Sequence, residues 1–370
     1  MLEILKTLLY VNRNTLSIRK FLNRVRVMNE YASGKLITES FPNMVHIEPT
    51  NVCNLRCVMC PHAFQINRKK GFMEFDLFKR IIDELKGTPA EFIYLHQFGE
   101  SLLHKDFFKM VRYAKAAGIQ VGFSTNATLL DQRNSSELLA SGLDFLTLSL
   151  DGGTSEIYEK YRIGADWKEV ESKCLNFLEL RSRHDRGNRM HVVAQTISMK
   201  GNENSLQKLM DEFGRFPISF TNKPFNEWGG KFDEITNLST NSDPTKGVDR
   251  QRCEKPYKLL TIEWDGTVVP CTRFFDNQYV YGTFPQKSLR EIWNGEAARN
   301  FRRLHLSNRR DIDFCNTCIC DGPSFLERQA MKVLDIMMIE KLIMDIPFVR
   351  GRGVANVTET ILAGKNGKFQ

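Results

Sequence analysis

Asn51-Val-Cys-Asn-Leu-Arg-Cys-Val-Met-Cys-Pro-His62 sets Cys53, Cys57 and Cys60 in a Cys-x3-Cys-x2-Cys run. Three thiolates this close can wrap one face of a small iron–sulfur cluster. The stretch follows an apolar run, Met44-Val-His-Ile-Glu-Pro49, that reads as a short strand. The thiols therefore fall on a loop at a strand end, where sheet proteins place their chemistry. The number of thiols decides more than their spacing. A cubane offers one more iron than this loop has cysteines, so one iron stays open for a ligand that is not protein. Structural zinc normally takes four ligands, often as two paired knuckles. Nine cysteines without a secretory leader point to a reducing cytoplasm and to metal or redox use rather than to a disulfide framework.

Downstream of the loop, strand and helix patterns alternate as far as Asn222, which implies parallel βαβ units. Phe75, Phe78, Ile81, Ile82 and Leu85 recur at helical spacing before Gly87, and a second helix runs through Phe107, Val111 and Ala114 to Gly118. Strands are expected at 91–96, 119–124, 145–150, 191–197 and 218–221, with a helix through Val170, Cys174, Phe177 and Leu178 before the fifth. Cys174 lies on the apolar stripe of that helix, the place of a structural thiol. The fold class is α/β, and the pattern allows either an open partial barrel or a doubly wound sheet.

The cysteine loop resembles the signature of the radical S-adenosylmethionine (SAM) superfamily. The resemblance implies a partial (βα)6 barrel with a [4Fe-4S] cluster on Cys53, Cys57 and Cys60, whose open iron chelates SAM. It implies reductive cleavage of SAM to a 5′-deoxyadenosyl radical that abstracts hydrogen from substrate. Further motifs fall in family order. Phe98-Gly99-Glu100 stands where the family has Gly-Gly-Glu, which implies Glu100 at the SAM amino group. Ser124-Thr-Asn126 resembles Thr-Asn-Gly, with Ala127 in place of the glycine. Ser149-Leu-Asp-Gly152 resembles Ser-x-Asp-Gly. Ser124, Asn126, Ser149 and Arg162 are thus candidates for the ribose or carboxylate of SAM, Arg162 through a bidentate pair. Met59 precedes the third cysteine, where relatives often carry an aromatic against adenine, and Gln195 projects from the fifth strand toward the same ligand.

A second cysteine set follows. Cys253, Gly266 and Cys271 form Cys-x12-Gly-x4-Cys, with Cys315-x2-Cys318 after a long gap. Leu260, Ile262 and Trp264 alternate up to Asp265-Gly266, a dipeptide that favours a type I′ hairpin turn. This resembles the SPASM/twitch domain of a branch of radical SAM enzymes, which implies one auxiliary [4Fe-4S] cluster on Cys253, Cys271, Cys315 and Cys318. Zinc in a closed four-cysteine site is the alternative. Cys320 is left over: a spare thiol, a replacement for Cys318, or a thiol that returns hydrogen to a substrate radical.

At 370 residues, with 42% hydrophobic and 26% charged content, the chain is a soluble globular protein long enough for two domains. Its net charge of +8 is uneven: Arg13, Arg19, Lys20, Arg24, Arg26 and Lys35 crowd the first segment. That segment, 1–43, reads as an amphipathic helical extension with Leu5, Leu8, Leu9, Leu16, Ile18, Phe21, Leu22 and Val25 as its stripe. Docking on the next domain is its expected role, with peripheral membrane contact the minority reading. No nucleic-acid motif accompanies it, and no run is long and apolar enough to span a bilayer. The expected domains are 1–43, a core barrel over 44–245 whose end at 223–250 reads as a linker, a small cysteine-rich α+β twitch/SPASM-like domain over 246–325, and a C-terminal helix and tail over 326–370.

The resemblance implies a cytoplasmic radical SAM oxidoreductase fed by a flavodoxin or ferredoxin. The preferred reaction is dehydrogenation of a small, sugar-like substrate. Peptide or protein maturation is the rival within enzymes, and a non-catalytic iron–sulfur scaffold is the rival of another class. The catalytic base is undetermined among Lys223, Glu227, Lys258, Glu263 and Arg273.

Overall fold

The computed structural model describes residues 18–64, 67–184, 190–228, 233–240, 253–316 and 318. Its backbone is one sheet, in the order β6-β5-β4-β3-β2-β1-β7-β8-β9. Strands β1 (Met44–Ile47), β2 (Phe92–Leu95), β3 (Gln120–Thr125), β4 (Phe145–Ser149), β5 (His191–Ile197) and β6 (Ser219–Lys223) pair in parallel. β7 (Leu259–Ile262) adds to β1, also in parallel, and β8 (Thr267–Val269) and β9 (Gly282–Thr283) turn back antiparallel. The alternating elements thus form the expected unclosed barrel.

The register sorts the side chains onto two faces, because neighbours along a strand point to opposite sides. Val45, Ile47, Ile93, Leu95, Val121, Phe123, Leu146, Leu148 and Val192 meet the helices in one continuous apolar core. The opposite, concave face carries His46, Tyr94, Ser124, Thr147, Ser149, Gln195, Thr221 and Lys223, in matched register from strand to strand. Helices Phe75–Lys86 and Phe107–Ala116 follow the expected stripes, and Cys174 is fully buried in helix Trp167–Arg183.

Several elements differ from the sequence-based expectation. Helices Gln132–Ala140, Ser155–Tyr161 and Ser205–Phe213 escaped it, because each is short; the first buries only Ser135 and Leu138. The sixth strand runs on to Lys223, so the expected linker begins within it. Phe225, Glu227, Ile235 and Ser239 of that segment are buried, so its described parts, 223–228 and 233–240, belong to the packed structure. The hairpin forms without a type I′ turn, which needs two left-handed residues. Only Gly266 is left-handed (φ +89°), its N–H donates to Glu263 O (2.9 Å), and the Asp265 side chain accepts from Thr267 N (3.0 Å). A Cβ at Gly266 would lie 2.1 Å from Phe284 O, so glycine is required on two counts. β7 is buried at every residue, because β1 covers its edge and both of its faces are packed; the apolar/polar alternation read there describes the strand poorly.

Helix Ile18–Ser33 docks on this body through a face set by Asn23, Val27, Glu30 and Tyr31, while Phe21 stays exposed. Asn23 bonds both backbone groups of Phe41 (2.8 and 2.9 Å), and Tyr31 packs edge-on against Tyr257 (5.7 Å). Two of the basic residues serve the docking: Arg19 donates to Gly87 O (2.8 Å) and Arg24 pairs with Glu91. Among the described residues no helix is long and apolar enough to cross a membrane. Leu5, Leu8, Leu9, Arg13, Leu16, Cys320 and the expected C-terminal helix lie outside the described residues.

Arg68, on the arm that returns from the cysteine loop, closes the seam between β1 and β7. Its Nη1 and Nη2 grip Glu48 (2.9 Å each), its Nη1 lies 3.0 Å from Glu263, and its Nε donates to Phe275 O (2.8 Å). One guanidinium thus faces two fully buried carboxylates. Burial, with Glu48 and Asp265 adding to it, pushes the Glu263 carboxyl up to about 9 against the opposing pull of Arg68. The folded chain therefore holds a proton that the unfolded chain releases near 4.5, and this group's contribution to stability declines as pH rises from 4.5 towards 9. Glu263→Gln, which cannot ionise, is expected to flatten that decline: melting temperatures across this range should match wild type at the acid end and exceed it at pH 8.5. Equal slopes for the two proteins would show that Glu263 is ionised in the folded state.

Candidate functional site

The cysteine loop is pinned on three sides. Toward its return arm, Thr50 Oγ1 donates to Gly71 O (2.7 Å), and Asn51 donates to Lys69 O and accepts from Gly71 N (2.9 Å each). Toward helix Ser155–Tyr161, Arg56 N donates to Ile163 O and Val58 N to Tyr161 O, both at 3.0 Å. Toward the end of β3, Asn126 Nδ2 donates to Asn54 Oδ1 (3.0 Å), and Asn126 Oδ1 accepts from Thr128 N and Oγ1 (3.0 and 2.6 Å). Beneath the loop, a Cβ on Gly99 would lie 2.1 Å from Thr50 O, so only glycine lets the two backbones meet.

Cys53, Cys57 and Cys60 are left half-buried and unbridged at the C-terminal end of β1. Burial pushes Cys53 up to about 11 and Cys60 up to about 12, and raises Cys57 against the pull of Arg162. Arg162 Nη1 lies 3.9 Å from Cys57 Sγ, and Asn126 Nδ2 lies 4.0 Å from Cys53 Sγ. A cation and an amide donor at the sulfurs suit an anionic cluster. Among the described residues no three Cys, His, Asp or Glu side chains close on a single ion. A multi-iron cluster is wider than one ion, and the donor set fits it.

The other sequence candidates are brought to this mouth and hold contacts within the chain. Nε and Nη2 of Arg162 donate to Asp151 Oδ2 (2.9 and 2.5 Å), so that edge of the guanidinium is already engaged. Asp151, the acid of Ser149-Leu-Asp-Gly152, also accepts from Ile197 N (2.8 Å). Glu100 is buried and accepts from Leu102 N (3.2 Å), Thr125 Oγ1 (3.0 Å) and Asn126 N (2.9 Å), tying the end of β2 to that of β3. Burial raises its pKa. Ser124 and Ser149 bond to each other across the concave face (2.7 Å), with Gln195 in register beside Ser149. Met59 lies in an apolar cluster with Tyr161, Met199, Phe225 and Ile235, and its carbonyl accepts from Trp228 Nε1 (2.9 Å). Phe98, unexpected in a glycine's place, packs against Trp228 and Phe275 (5.6 and 6.2 Å), joining the barrel to the auxiliary region.

The second set also converges. Cys253, Cys271, Cys315 and Cys318 are all buried. Burial, then the neighbouring Cys271, Cys253 and Cys318, pushes the Cys315 thiol far up, while Lys255 sits among Cys271, Cys253 and Cys318. Arg309 donates to the Cys318 carbonyl. Four thiols with no fifth donor required suit one closed cluster. Four non-glycine residues among those described are left-handed, and three flank these sites: Ala127 (φ 64°) beside Asn126, Trp228 (φ 51°) over Met59, and Phe314 (φ 67°) beside Cys315. Such strain persists where surrounding contacts over-determine the backbone. Ala127 occupies the position the family gives to glycine because the chain there is left-handed.

The candidate bases separate. Lys258 pairs with Glu254, and Glu263 is held by Arg68. Among the described residues neither carboxylate oxygen of buried Glu227 is hydrogen-bonded, and the buried Nη1 of Arg273 has no partner. Lys223 stands on the concave face. Sequence reading missed His46, Tyr94, His96, Asn54 and Arg68. The polar residues alternating with apolar ones in 44–49 and 91–96 were the available signal.

Residues 47–211 match the model of the radical SAM superfamily, and 253–319 match that of an iron–sulfur cluster-binding domain, SPASM. The chain is 28% identical over 302 residues to the tungsten-containing aldehyde ferredoxin oxidoreductase cofactor-modifying protein of Pyrococcus furiosus, covering 70% of this chain and 82% of that protein. It is 22% identical to the S-adenosyl-L-methionine-dependent 2-deoxy-scyllo-inosamine dehydrogenase of Niallia circulans, covering 75% and 92%. Among solved structures, Streptococcus suis SuiB bound to precursor peptide SuiA superposes with a TM-score of 0.60 at 17% identity, covering 82% of this chain and 75% of that one.

Gly99→Ala is expected to push Thr50 away and loosen the cysteine loop. It should cost about 2 kcal/mol or more in stability and lower iron loading at the first site while sparing the second. Iron analysis and chemical denaturation of the reconstituted variant test this; unchanged loading would mean the close approach is dispensable.

Proposed function

This is a radical SAM protein with a C-terminal SPASM domain, and we propose that it abstracts hydrogen from a small, polar substrate and oxidises it by two electrons. Its cofactors are [4Fe-4S] clusters and SAM. The observation that carries the reading is the placement of Cys53, Cys57 and Cys60, half-buried at the mouth of a curved parallel sheet whose concave face is polar. When bound there, a cluster with an open iron supplies the electron that cleaves SAM and so generates the hydrogen-abstracting radical.

Around it the chain's own groups divide the work. Arg162, oriented by Asp151, holds positive charge against Cys57. Asn126 and Glu100 hold the loop and strand ends that frame the cluster. Ser124, Ser149 and Gln195 offer hydroxyls and an amide on the concave face, groups that would suit the ribose and carboxylate of SAM. Met59, set behind the loop, supports it from an apolar cluster. Cys253, Cys271, Cys315 and Cys318 hold the auxiliary cluster, an electron acceptor suited to the second oxidation step. Reducing equivalents for the first cluster come from a flavodoxin- or ferredoxin-like donor.

Peptide maturation is the second reading, supported by the breadth of the relatives, whose names span cofactor modification, peptide-bound SuiB and an aminocyclitol dehydrogenase. A non-catalytic scaffold would retain the iron without cleaving SAM.

Anaerobic reconstitution of wild type and a Cys53/Cys57/Cys60→Ala triple variant tests the proposal. Wild type is expected to load two clusters and to release 5′-deoxyadenosine from SAM under dithionite. The variant should load one cluster and release none. Two clusters in wild type with no 5′-deoxyadenosine would overturn the enzymatic reading, and zinc in the variant would overturn the auxiliary cluster.

A further inference from the structure

From Pro49 to Met73 the chain has Arg56, Arg68, Lys69 and Lys70 and no Asp or Glu. That stretch is the cysteine loop and its return arm. Arg68 is buried and matched by Glu48 and Glu263. Arg56, Lys69 and Lys70 are exposed, as is Lys105 past the end of β2. Among the described residues none of these four makes an ion pair.

Contacts set the cations against the loop. Arg56 lies over it, its Nη1 donating to Cys53 O (3.0 Å) and Leu55 O (2.9 Å). Asn51 Nδ2 donates to Lys69 O (2.9 Å), and Asn51 Oδ1 accepts from Gly71 N, one residue beyond Lys70 (2.9 Å). Phe72 bridges to Thr50 and packs edge-on against His104 (5.7 Å), the residue before Lys105. Two of the seven large hydrophobic side chains exposed among the described residues flank this loop. They are Phe72 (43% exposed) and Ile163 (46% exposed), whose carbonyl accepts from Arg56 N (3.0 Å).

The acids at the margins are largely engaged. Glu159 and Asp166 each accept a backbone N–H at the start of helix Trp167–Arg183 (3.1 and 2.9 Å). Asp276 is held by Asn67 Nδ2 and Arg68 N (2.7 and 2.9 Å), and Asp265 by Thr267 N (3.0 Å). Glu74 and Asp106 lie past Phe72 and Lys105. Single exposed hydrophobics are ordinary; set among unpaired cations on both flanks of one loop, they have the make-up of a docking face, apolar contacts within a charged rim. Electron-transfer encounters are small, below about 1,200 Å² in total, and draw their on-rate from opposite charge.

We propose that this face, with Arg56, Lys69, Lys70 and Lys105 around Phe72, docks a small acidic electron-carrier protein. The carrier passes one electron to the cluster that the loop holds and leaves oxidised by one electron, with no bond formed or broken. This rests on the reading of the chain as a SAM-cleaving enzyme, and it names where the partner of the first thiol site docks.

The test is 5′-deoxyadenosine release by the cluster-loaded chain, driven either by reduced flavodoxin, an acidic flavoprotein, or by dithionite, which needs no docking face. Lys70→Glu/Lys105→Glu is expected to lower flavodoxin-driven kcat/KM about tenfold or more and to keep the dithionite rate within about twofold, because charge steering acts on encounter. Lys70→Arg/Lys105→Arg should keep both rates. So should Lys86→Glu/Lys287→Glu, which reverses exposed lysines away from the loop. Added salt should slow the flavodoxin-driven rate of wild type and leave that of the Glu variant nearly flat. Equal flavodoxin-driven rates in wild type and the Glu variant, equal loss with both donors, or equal loss in the Lys86/Lys287 control would overturn the proposal. So would a Glu variant that keeps its flavodoxin rate but no longer sediments with phosphatidylglycerol vesicles, which would assign the face to a lipid surface. Release from wild type with dithionite but not with flavodoxin overturns this proposal alone, whereas no release with either donor overturns the SAM-cleaving reading beneath it.

Discussion

Arg68 is the joint on which the two thiol sites depend. It lies on the arm returning from the first cysteine loop, grips Glu48 at the end of β1, touches Glu263 at the end of β7, and donates to the carbonyl of Phe275. Phe275 follows shortly after Cys271, so a single guanidinium spans the loop that presents the first thiols and the loop that presents the second. Its backbone N–H and the side chain of Asn67 add bonds to Asp276 (2.9 and 2.7 Å). A buried ion pair of this kind is poor as a source of stability, because desolvation offsets most of the Coulomb attraction. What it supplies is a fixed relation between the parts it touches. Phe98, Trp228 and Phe275 pack beside it, and the Arg68 guanidinium lies 5.9 Å from the Phe98 ring.

The sheet expresses the same constraint at larger scale. A parallel strand covered by helices on one face and curved around a chamber on the other must be apolar on one parity and free to be polar on the other. In β1 to β6 the first parity packs toward the core and the second forms the polar concave face. Positive charge lies beside both thiol sets. Arg162 is committed to Asp151 and lies beside Cys57, and Lys255 sits among the auxiliary thiols.

Much of this was legible before any coordinates. The Cys-x3-Cys-x2-Cys loop after a strand, the alternation to Asn222, and the second cysteine set carried the fold class and both thiol sites. They were legible because they rest on local rules: spacing, periodicity and ligand number. The role of Cys174 followed from its helical stripe in the same way. The errors were also local in origin. Asp265-Gly266 favours a type I′ turn in isolation, yet Phe284 packs against Gly266 and the loop closes differently. Residues 223–228 look like a linker in composition, yet Phe225 and Trp228 are needed to cover Met59.

The sequence by itself determined which atoms are available for chemistry: seven thiols in two groups, a carboxylate after β2, hydroxyls at the ends of β3 and β4. Those facts depend on composition and short-range order along the chain. Only the tertiary structure decided what each polar group is already spent on. Arg162 is spent on Asp151, Glu100 on three donors and Asn126 on the cysteine loop, while among the described residues Nδ1 of His46 and of His96 is not. The physical reason is that a hydrogen bond has one best partner in three dimensions, and partners here are separated by tens of residues. No periodicity reports whether a buried charge is already matched; only the arrangement of its neighbours does.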